Sequence, residues 1–170
     1  MPTKLFTMAR FASALGVALI LVAAASAATV TRSATTSTYK LTLVVGPLET
    51  MYTPAEVKAK HPKTGEVMVG GSMGMGGMSM GAGNRHLEVH VASRATGKPL
   101  ATMPSSITLQ DTSAMSGMSM STKVDVVAME GVGKGMSDLH YGNNVKLTAG
   151  HRYKVVATVK GEKASFSFRA

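Results

Sequence analysis

From residue 39 to residue 169 the apolar residues recur at every second position in short runs, and each run stops at a glycine, a proline or a polar turn. A period of two belongs to a strand with one face buried, so this pattern excludes a helical bundle. Runs of this kind cover residues 39–45, 66–69, 86–93, 100–103, 107–110, 123–129, 145–147, 152–160 and 164–169. The last two are separated by Gly161-Glu162, a tight hairpin signal. Pro54 after Thr53 opens a helical turn or two over residues 54–60. Short strands at this spacing predict an all-β fold, an immunoglobulin-like antiparallel β-sandwich over residues 39–170.

The N-terminus reads differently. Lys4 and Arg10 precede an uncharged, mostly apolar run over residues 11–25, followed by Ala25-Ser26-Ala27. This is the pattern of a secretory signal peptide over residues 1–27, and it predicts an exported, periplasmic or otherwise extracytoplasmic protein. Residues 28–38 are rich in Ser and Thr and read as a flexible lead-in. The chain contains no Cys, so an exported core of this size has to hold without disulfides. A thiolate copper site and the common structural zinc sites are excluded for the same reason. The formal net charge is +9, with basic residues spread along the chain. That favours weak attraction to anionic membrane or wall polymers. No basic-aromatic patch points to nucleic acid.

Three features carry chemistry. His86, Glu88 and His90 alternate with Leu87, Val89 and Val91, so one face of a single strand presents two imidazoles and a carboxylate. The alternative is a solvated polar face, since any half-buried strand alternates in this way. His140 lies in the string 138–144 (DLHYGNN), with turn residues on both sides of an aromatic. Backbone hydrogen bonds there can fix a tautomer suited to metal binding; the alternative is a surface loop histidine. Fourteen methionines stand against five histidines. Met73, Met75, Met78 and Met80 lie in one Gly-rich segment, and Met115, Met118 and Met120 in another. Their thioethers are soft ligands suited to Cu+. His61 and His151 are isolated. No G-x-S-x-G, H-E-x-x-H or phosphate-loop string occurs, so the chain does not read as an enzyme.

The strings HLEVHV (86–91) and DLHYGNNVKL (138–147) resemble two signatures of the periplasmic iron-transport accessory proteins, and PLETMYTP (47–54) resembles an early methionine segment of that family. The resemblance covers most of the chain after residue 27, in the same order. It implies an immunoglobulin-like sandwich that binds copper (Cu+ or Cu2+), works in iron uptake beside a membrane iron permease, and commonly forms a homodimer. It implies metal ligands at His86, Glu88 and His140, and at Met51. It also implies a methionine before His140, either Met129 or Met136, with strand position favouring Met129. The C-terminal histidine of the family's longer members is missing, so Met51, His90 or a loop methionine would complete a four-coordinate site. The expected function is therefore an exported copper- or Fe2+-binding accessory protein. A methionine-rich copper chaperone and a metal-free adhesion sandwich are the rivals.

Overall fold

The structure, a computed structural model, describes residues 28–71, 83–113 and 121–170. The expected signal peptide and both clusters of loop methionines lie outside the described residues. Among the described residues, no helix is long and apolar enough to cross a membrane.

Two sheets form a sandwich. In chain order the elements are β1 (Val30–Thr35), β2 (Tyr39–Pro47), β3 (Met51–Tyr52), α1 (Pro54–Lys60), β4 (Glu66–Gly71), β5 (Arg85–Ser93), β6 (Ser106–Asp111), β7 (Ser121–Val124), β8 (Val127–Gly131), β9 (His140–Val145), β10 (Arg152–Val159) and β11 (Glu162–Arg169). The larger sheet runs β1-β2-β5-β9-β8-β4-β3 and the smaller runs β11-β10-β6-β7. All pairs are antiparallel except β3 with β4.

The alternation does what its period requires. Leu41, Leu43 and Val45 of β2, and Leu87, Val89 and Val91 of β5, meet Ile107, Val155, Ala157, Phe166 and Phe168 of the smaller sheet in one core. Their neighbours at odd offsets point away from it. Arg85 is also buried, and its guanidinium donates to the carbonyls of Val45, Gly46 and Ala28. These three acceptors satisfy most of its donors without a counter-charge. The short helix forms as its sequence directs. Thr53 Oγ1 accepts from Glu56 N–H at 3.2 Å and Glu56 Oε2 accepts from Thr53 N–H at 2.9 Å, a reciprocal capping box.

Four expectations are corrected. Residues 28–38 are not simply a lead-in: Val30–Thr35 is β1, in full register with β2, and Val30 and Ala34 pack on the core. Its Thr and Val residues suit a strand, and pairing covers what would otherwise be an open edge. The run 123–129 is not one strand. It divides at Asp125-Val126, so β7 lies in the smaller sheet and β8 in the larger. Residues 100–103 carry no strand; the Pro99 and Pro104 positions confine pairing to a single bridge, Ala92 with Pro99. The last hairpin turns at Lys160-Gly161, both with positive φ, one residue earlier than expected.

Leu87 is fully buried at the centre of this core. Leu87→Ala is expected to lower unfolding free energy by about 3 kcal/mol, against about 1 kcal/mol for the cap variant Thr53→Ala. Chemical denaturation of both variants checks the contrast.

Candidate metal centre

The outer face of the larger sheet is built by register. On β5, His86, Glu88 and His90 alternate with the core residues and point outward. Across from them on β9, His86 pairs with Asn144 and Glu88 with Gly142. Two residues further along β9, His140 points to the same face. Its partner on β8 is Met129, whose partner on β4 is Met68. Glu66 lies two residues before Met68 and pairs with Met51 of β3. Five strands thus send His, Glu and Met side chains to one side.

Four of these side chains converge. Glu66, His86, Glu88 and His140 each offer one ligand atom, all within 4.8 Å of one another. The rings of His86 and His140 are 5.8 Å apart and nearly perpendicular. A regular tetrahedron with the 4.8 Å upper bound as its edge has its centre ~2.9 Å from each corner. Small side-chain rotations would close that to the ~2.0–2.2 Å of His and carboxylate bonds to a metal such as zinc.

The tautomers are set by neighbours. His140 Nδ1 lies 2.8 Å from the Asp138 carbonyl oxygen, which can only accept, so Nδ1 carries the proton. Asn144 Nδ2 donates to the Glu49 carbonyl at 2.9 Å, which turns its Oδ1 toward His86 Nδ1, also at 2.9 Å. His86 Nδ1 is therefore a donor too. Both rings present an unprotonated Nε2 to the centre, the state a metal ligand requires. Neither Nε2 has a hydrogen-bond partner, and neither does Glu66 Oε2, although all three are buried. Leaving such atoms unpaired costs roughly 1–3 kcal/mol each. A cation placed among them would satisfy all three at once.

The charges agree. Burial pushes the Glu66 carboxyl up to about 7, helped by the nearby charge of Glu88. Burial lowers the His140 pKa and keeps the imidazole neutral. The 3.4 Å approach of Glu66 Oε2 to His140 Nε2 is thus no salt bridge below about pH 7. Burial acts upward on Glu88 as well. There the hydrogen bond from His90, together with the polar surroundings of the nearby histidines, outweighs it and holds the carboxyl below its ordinary value. His90 Nε2 donates to Glu88 Oε2 at 3.2 Å, and its ring lies 5.3 Å from that of His140. With its side chain 31% exposed, His90 stands on the solvent side of the group.

The structure brings His86, Glu88, His90 and His140 together. It places Met129 and Met51 beside them in a buried methionine cluster with Met68. Met136, the alternative to Met129, is 60% exposed in the turn before β9. His151 lies apart, bonded to Asp111 at 2.7 Å. His140 is not in a loop but opens β9, fully buried. Gly142 makes this possible, because a β-carbon there would collide with the Leu87 carbonyl. Sequence reasoning missed Glu66 and Met68. Their signal was present, since Glu66-Val67-Met68-Val69 alternates as 86–91 does.

No family model and no curated protein matches the chain. Among solved structures it is similar to a copper-bound variant of FetP from uropathogenic Escherichia coli strain F11. That similarity has 14% identity and a TM-score of 0.48, over 84% of this chain and 97% of that one. The centre described above is defined by its own geometry: an all-β sandwich carries a buried His/Glu group that could hold a metal ion.

Two outcomes follow for the metal-free protein. The folded pKa of Glu66 exceeds that of a free carboxyl, so its contribution to folding is fullest below about pH 4.5 and is lost as pH rises through 7. Glu66→Gln should therefore raise stability by up to about 3 kcal/mol at pH 8 and by little at pH 4, read from denaturation midpoints at the two pH values. Gly142→Ala should separate β5 from β9, seen as lost amide protection across both strands, because the obstructing atom is backbone.

Proposed function

We propose that this protein is an exported metal-binding accessory protein that carries copper or ferrous iron and serves a membrane iron permease. The observation that carries the metal reading is the meeting of three buried, unpartnered atoms, Glu66 Oε2, His86 Nε2 and His140 Nε2. A single water, with two O–H groups, could donate to only two of the three. A cation accepts all of them together, with Glu88 as a further oxygen ligand.

The donor set narrows the metal. Two imidazole nitrogens with carboxylate oxygens suit Cu2+ and Fe2+. Met129, opposite His140 on the neighbouring strand, adds a thioether on the same face, which suits Cu+. No nucleophile or substrate cleft is needed for this role, which is carriage and not catalysis. The permease and the periplasmic setting rest on the resemblance of residues 86–91 and 138–147 to the iron-transport accessory proteins, and on the signal-like N-terminus.

Titration of the purified protein with Cu+, Cu2+ and Fe2+ tests the reading. One tight site is expected, and the double variant His86→Ala, His140→Ala should weaken it at least ~100-fold. Asn144→Ala, which frees the His86 ring without touching the metal, should weaken it by roughly 10–100-fold. Deletion of residues 72–80 and 115–120 should leave the tight site intact. If that deletion abolishes binding and the histidine variants do not, the methionine segments are the site and this assignment fails.

A further inference from the structure

Five of the basic residues that look scattered in sequence are gathered onto one face by the fold. Each strand of the smaller sheet turns alternate residues outward, away from the core. On β10 these are Arg152, Lys154, Val156 and Thr158, and on β11 they are Lys163, Ser165, Ser167 and Arg169. On β6 they are Ser106, Thr108 and Gln110, and on β7 they are Ser121 and Lys123. Five of these positions are cations, the others are small or neutral, and none is acidic. Asp111 and Glu162, the acidic residues on these strands, have the opposite parity. Asp111 is bonded to His151, and Glu162 accepts from Thr38 N–H. Asp125 follows β7 where the chain leaves the sheet.

The cations are exposed, and none of the five forms an ion pair among the described residues. Arg152 and Arg169 stand directly opposite each other across two strands. Like charges in that relation weaken a sheet, so folding alone does not favour the arrangement. Isolated lysines at sheet edges guard against aggregation, but here the charge spans the face and includes the central strand β10. Most carboxylates lie elsewhere: Glu49, Glu56, Glu66, Glu88, Glu130 and Asp138 all belong to the larger sheet or its connections. The outer face of the smaller sheet thus carries charges of one sign only, whereas the larger sheet and its connections carry both signs, with Arg32, Lys40, Lys58, Lys60 and others among the carboxylates.

We infer that the outer face of the smaller sheet is a docking surface for anionic phospholipid. Five cations without an acidic partner among the described residues, on a pleated face interleaved with hydroxyls, match a plane of phosphate headgroups. Phosphates accept from ammonium, guanidinium and hydroxyl groups alike. Docking in this way leaves the His/Glu group on the side of the sandwich away from the lipid, with His90 on its solvent side. The inference does not depend on metal binding.

Sedimentation of the full-length protein with vesicles tests it, using phosphatidylcholine alone and phosphatidylcholine with 30% phosphatidylglycerol. The neutral vesicles measure any contribution of the apolar run 11–25. Binding specific to the anionic vesicles is expected at 0.15 M salt, with loss at 0.5 M. The triple variant Lys123→Gln, Lys154→Gln, Lys163→Gln should lose about 100-fold in partition coefficient, at roughly a factor of several per cation. The control Lys58→Gln, Lys63→Gln, Lys98→Gln removes the same charge from other surfaces and should bind as the parent does. Circular dichroism checks that both variants fold. Equal loss in the two variants would mean that net charge alone is sensed, and would overturn the inference. So would absence of anionic-specific binding, or retention of a soluble polyanion such as heparin without any affinity for the vesicles.

Discussion

The pairing of β5 with β9 is the contact on which the rest of the molecule depends. It joins the two strands that hold His86 and His140, and it is close because position 142 carries no side chain. The same pairing drives Leu87 and Val89 into the core on the opposite face. One set of backbone hydrogen bonds therefore determines both the apolar interior and the relative placement of two imidazoles 54 residues apart in the chain. Core and site cannot be relaxed independently here.

Around that pair, the site trades stability for readiness. A sheet face exposed to water ordinarily carries polar groups that water can reach. Here three polar atoms are shut away without partners. Each ring is held from behind, one by a backbone carbonyl and the other by an amide whose own orientation is fixed by a second carbonyl. The forward-facing nitrogens are left without a hydrogen-bond partner. Such an arrangement is costly unless something else completes it, which is why geometry and charge point the same way.

Much of this was legible in the sequence, for reasons particular residues make clear. The period of two over 86–91 announced both a buried and a polar face, and Thr53-Pro54 announced a helix start. The fold class followed from such runs. His140 was harder. Its neighbours Gly142, Asn143 and Asn144 are turn formers by composition, yet each has a different purpose in a strand: Gly142 gives room, Asn143 donates to the Asp125 carbonyl, and Asn144 steers His86. Glu66 escaped notice because its strand is short and runs straight into a glycine segment. The division of 123–129 between two sheets was invisible for another reason. Nothing local distinguishes a strand that continues from one that crosses to the facing layer.

That crossing has a mechanical consequence. Lys123 faces outward from one sheet and Met129, six residues on, lies on the outer side of the other sheet, the chain crossing between them at Asp125 and Val126. The Asn143 amide grips the Asp125 carbonyl at the midpoint of this span. The two layers are thus stitched at that corner by covalent chain and not merely pressed together by their interior. A strain applied at either surface has a short covalent path to the other.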